Sequence, residues 1–67
     1  MDEFTRERYK RLAVQFVDIY ESDEKEGPRL AGMFAVDELP ECEYIHFEPF
    51  VTREFMSRGY KFNGELD

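Results

Sequence analysis

The chain is poor in the residues that build small chemical sites. Its only cysteine is Cys42, its only histidine is His46, and tryptophan is absent. A single cysteine excludes an internal disulfide and every zinc pattern that needs two or more thiolates. The four glycines, Gly27, Gly32, Gly59 and Gly64, are scattered, so no Gly-rich phosphate cradle can form. No uncharged run approaches the roughly 20 residues of a membrane-spanning helix. The acidic start, Met1-Asp2-Glu3, leads into no apolar segment and predicts no secretory signal. These absences predict a cytoplasmic protein without metal or cofactor, and not an enzyme.

Aromatic side chains and acids are plentiful instead. Seven phenylalanines and four tyrosines stand among 67 residues. A domain this small buries only about 60% of the surface its unfolded chain exposes. Each aromatic can bury about 150–250 Å², so one core of this size cannot hide them all. Some are expected at a surface that meets another molecule. Self-association is the simplest such cover and predicts a homodimer.

The net charge is -7, and one segment creates it. Residues 18–48 carry ten acids against Lys25 and Arg29, whereas the flanking segments are nearly neutral. Such a field repels nucleic acid and attracts basic surfaces. It also keeps an aromatic-rich protein soluble. The only basic cluster, Arg6, Arg8, Lys10 and Arg11, is interleaved with acids and reads as a salt-bridged helix face. Direct nucleic-acid binding is not expected.

Residues 2–21 predict an amphipathic helix. Tyr9, Leu12, Ala13, Phe16, Ile19 and Tyr20 recur at helical steps, while Glu7, Arg11, Gln15 and Asp18 line the other face. Val14 falls on the polar side, and the charges oppose the helix dipole. Asp2 or Thr5 is placed to cap the start. A rival reading makes residues 12–20 a strand, but its alternation is poor. Residues 22–28 read as a charged loop closed by a Gly-Pro breaker. Leu30–Val36 and Cys42–Phe47 read as two strands joined at Asp37–Glu41, a hairpin. Pro49 is expected to open a helix over Phe50–Arg58, with Gly59 as its left-handed stop. Tyr60–Phe62 reads as a third strand, and Asn63-Gly64 as a turn. The sum is an α+β domain in the order α-β-β-α-β, a single small domain over residues 1–67. The alternative is a β-meander with one C-terminal helix.

Candidate chemistry is sparse. On a strand, Cys42 and His46 would share a face about 13 Å apart, beyond the reach of a nucleophile and its base. The paired acids at Asp23 with Glu24, Asp37 with Glu38 and Glu41 with Glu43 fall in predicted turns and loops, where water keeps them ionised.

The functional expectation therefore rests on charge and aromatics. An acidic inhibitor or regulator is predicted to occupy the basic surface of a nucleic-acid-binding protein, as a DNA mimic. Its contact residues would be Asp18, Glu21, Asp23, Glu24, Glu26, Asp37, Glu38, Glu41 and Glu43. In composition the chain resembles the small acidic inhibitors that bacteriophages direct against host nucleic-acid-binding proteins; no motif carries the likeness. The alternative is a protein–protein interaction module that binds through an aromatic surface, with the acids serving solubility.

Overall fold

A computed structural model describes residues 2–61 and places three helices and no strand among them. Helix α1 spans Glu3–Ser22, α2 spans Gly27–Glu38 and α3 spans Tyr44–Ser57, with a 3-10 turn over Glu41–Glu43 leading into α3. Helices α2 and α3 both pack on α1. The side chain of Arg8 donates to the Glu38 carbonyl, so α2 runs antiparallel to α1. Tyr9 meets Phe47 and Phe50, while Tyr20 meets Phe55, so α3 runs parallel to it.

The first helix follows its pattern. Tyr9, Leu12 and Ala13 are buried and Phe16, Ile19 and Tyr20 half-buried, with Val17 added to the same face. Asp2 is the cap: its Oδ1 accepts the Thr5 N–H at 2.8 Å, which holds its carboxyl below the usual range. Val14 is exposed, as its position on the polar face requires.

The α+β class is overturned, and so is the meander. Leu30–Val36 lies inside α2. Gly27, Ala31 and Ala35 recur every four residues and form its buried stripe, with Leu39 continuing the line. These small residues let α2 approach α1 closely. A Cβ on Gly27 would stand 2.0 Å from the Tyr20 carbonyl oxygen, which excludes any side chain there. Pro28 sits in the first turn, where its missing N–H costs nothing, so Gly-Pro starts a helix and does not merely close a loop.

Cys42–Phe47 is likewise no strand: it passes from the 3-10 turn into α3. Tyr44, Phe47 and Val51 face inward at steps of three and four, a helical period. Pro49 therefore lies inside α3 and does not open it. The end of α3 matches expectation. Gly59 has φ 97°, its N–H donates to the Met56 carbonyl, and the Tyr60 N–H donates to that of Phe55. This Schellman closure lays Tyr60 against Phe55, ring centroids 4.9 Å apart. Tyr60 and Lys61 form no strand; Phe62, Asn63 and Gly64 lie outside the described residues.

The core joins Tyr9, Leu12, Ala13, Ala35, Leu39 and Phe47, with edge-to-face aromatic contacts around Tyr9 and Phe16. No described helix is long and apolar enough to cross a membrane.

Candidate binding surfaces

The nine acids singled out from the sequence fall into two groups. Asp18, Glu21, Asp23, Glu24 and Glu26 surround the C-terminal end of α1 and the turn after it. Asp37, Glu38, Glu41 and Glu43 lie near its N-terminal end, where Tyr9 and Arg8 meet them. Ten or so residues of helix separate the groups, about 15 Å.

Several of these acids serve the fold. Arg58 gathers Asp18 and Glu21 from α1 and Glu54 from its own helix, each at 2.9 Å. The Tyr60 hydroxyl donates to Glu21 at 2.8 Å. That bond and Arg58 hold the Glu21 carboxyl below its usual range, and the same bond pushes the Tyr60 hydroxyl up. Hydrogen bonding to Glu54 leads the causes that keep Arg58 firmly cationic. Asp23 accepts the N–H groups of Glu26 at 2.7 Å and Lys25 at 2.8 Å, which lowers its carboxyl too. Glu26 pairs with Arg29. Glu43 accepts the hydroxyl of buried Tyr9 at 2.7 Å, which raises the tyrosine above its ordinary value. Glu24, Asp37 and Glu41 are exposed and make no ion pair among the described residues.

The Arg58 hub escaped the sequence reading, although the Glu54–Arg58 spacing of four was visible. In the basic cluster, Lys10 pairs with Glu7 at 3.6 Å, the one ion pair of that cluster among the described residues. Cys42 and His46 are both exposed. Among the described residues no three His, Cys, Asp or Glu side chains group to hold a metal ion.

A second surface was expected from the aromatic content, but its residues were not named from the sequence. Both α2 and α3 lean on α1 and scarcely touch each other. Between them runs an open groove of about 630 Å³. Phe16 and Phe47 lie at its base, with Ala35, Met33 and Val36 on the α2 side and Tyr44 and Val51 on the α3 side. Met33 is 52% exposed and Val36 64% exposed. Charge is confined to Arg29, Asp37 and Glu48.

Phe4 and Tyr60 are the exposed aromatics among the described residues, and the groove is lined by half-buried Phe16 and Tyr44 over buried Phe47. The aromatic surplus thus reaches the surface in part through this trough and in part as separate side chains. Comparison with protein-family models, curated proteins and solved structures returns no match.

Proposed function

We propose that this chain is a protein-binding domain whose α2–α3 groove takes one amphipathic helix of a partner, with basic residues flanking the partner's apolar stripe. The single observation that carries this reading is the groove itself. It is apolar, open to solvent, and walled by two helices that α1 holds apart. A helix laid into such a trough buries a stripe at i, i+3 or i+4 and i+7. Its volume falls in the range of small-molecule sites, but it is an open trough, and its polar side chains are Arg29, Asp37, Tyr44 and Glu48, three of them charged. Asp37 and Glu48, in a protein of net charge -7, favour a basic partner and speed its approach.

A second reading, in which the acids themselves occupy a basic nucleic-acid-binding surface, draws on the same charge and on Glu24, Asp37 and Glu41, which lack cationic partners among the described residues. Its support is weaker, because the acids stand as two separated groups and several are engaged within the fold.

Affinity capture from a nuclease-treated lysate separates the two. Under the groove reading, Met33→Glu with Val36→Glu loses the partner, and Glu24→Lys with Glu38→Lys keeps it. Under the acidic reading the pattern reverses, and moderate salt releases the partner from the wild-type protein.

A further inference from the structure

Helix α3 is apolar on two sides. Its inner face buries Phe47 and half-buries Phe50, Val51 and Phe55. Its outer face carries Ile45, 72% exposed, and Met56, 55% exposed, with Pro49 and Thr52 between them. A helix apolar all round is normally covered all round.

The outer face has an order. Ile45, Pro49, Thr52 and Met56 are spaced by four, three and four residues, the d-a-d-a seam of a coiled coil. In that register Glu48 is a g position and Arg53 an e position, flanking the seam on opposite sides. They lie five apart and cannot pair within one helix. Both are exposed, and neither makes an ion pair or a side-chain hydrogen bond among the described residues. A g residue faces the e residue five positions further along a parallel partner helix. An antiparallel copy would instead set g against g and bring Glu48 towards its own counterpart.

From this we infer that the outer face of α3 is a homodimer interface, in which two copies of α3 lie parallel and Glu48 of each pairs with Arg53 of the other. The seam is only about three turns long, too short to hold a free helix together. Here α1 already holds α3 helical, so association need not order the backbone. A two-fold axis along the seam meets the need of an isologous contact, since each residue finds its own copy and each opposite charge finds its complement. The groove and this face share only Glu48, so the dimer engages one of the groove's two acids, leaves Asp37 and the apolar lining available, and presents the groove twice.

Sedimentation equilibrium of the full chain, from low to high micromolar concentration, reads the association. The wild type is expected to dimerise. Glu48→Arg alone and Arg53→Glu alone each weaken association by about tenfold or more, because each sets like charges together. Their equimolar mixture restores association to the wild-type level, since the heterodimer re-forms both bridges, one in the native sense and one reversed. Circular dichroism checks that each exposed substitution leaves the helices intact. A spin label on Cys42, the native cysteine just before α3, reads the orientation. A parallel pair puts the labels level with each other, whereas an antiparallel pair offsets them by on the order of 25 Å along the axis. A chain that stays monomeric, a dimer indifferent to both reversals, a mixture that fails to recover, or labels far apart would each overturn the inference. None of these results bears on the groove, which the capture experiment tests separately.

Discussion

Helix α1 and the pair α2 and α3 solve the same packing problem to different degrees. On α1 the division is sharp: Tyr9, Leu12, Ala13 and Val17 face inward and charged residues cover most of the rest, with Phe4 and Val14 as single exposed apolar side chains. Helices α2 and α3 bury one face on α1 and leave a second apolar face in water, at Leu30, Met33 and Val36 and at Ile45 and Met56. A helix with one apolar face is finished inside its own domain. Helices with two are built for a further contact, and the fold keeps those contacts available by holding α2 and α3 apart.

The largest effects are expected from substitutions inside the core. Phe47 joins the core, the aromatic cluster and the groove floor. Phe47→Ala is expected to cost about 3–5 kcal/mol, enough to unfold a marginal domain of this size, as read by urea denaturation. Gly27→Ala forces a methyl into the Tyr20 carbonyl and must part α2 from α1. A loss of about 1–3 kcal/mol is expected in the same assay. Tyr9→Phe removes the hydroxyl that reaches Glu43 while keeping the ring, and should cost about 1 kcal/mol. On the outward face the sign of the lesson changes. Val36→Lys should alter stability by no more than about 0.5 kcal/mol, yet abolish partner capture. A large loss of stability there would mean that Val36 is already packed.

The polar contacts make stability depend on pH. Asp2, Glu21 and Asp23 titrate lower in the folded chain than the usual carboxylate. Their stabilising contribution is complete above a pH of about 4 and is lost as pH falls through their lowered values. Tyr9 and Tyr60 titrate higher than usual. Their contribution is complete below a pH of about 10 and is lost as pH rises through their raised values. Urea midpoints should therefore form a plateau that falls away at both acid and alkaline extremes. Arg58→Ala should lower that plateau slightly and move its acid edge upward, because Glu21 loses a cation but keeps the Tyr60 hydroxyl.

What the sequence disclosed follows from contrast. Twenty residues of α1 alternate apolar and charged faces at the helical period, so its helix and its Asp2 cap were legible. The Schellman end at Gly59 was legible for a similar local reason. In α2 the buried stripe is Gly27, Ala31 and Ala35, while the bulky residues Leu30, Met33 and Val36 face outward. Small residues inside and large ones outside erase the amphipathic signal, and a short apolar run then looks like a strand. Pro49 misled in the same way, because a proline inside a helix reads as a helix start. The groove depends on how far α2 and α3 stand apart, which no local pattern records. The acids were visible as residues, but their division between the ends of α1, and the share that Arg58 and Tyr9 engage, required the tertiary structure.

The central claim is that the outward side of α2 borders an open apolar trough. Paramagnetic relaxation of methyl signals by a soluble nitroxide tests it most directly. The account predicts strong relaxation of the Met33 and Val36 methyls and almost none for buried Val17 and Leu39. Protection of Met33 and Val36 to the level of Val17 would show that α2 and α3 close on each other, and would contradict it.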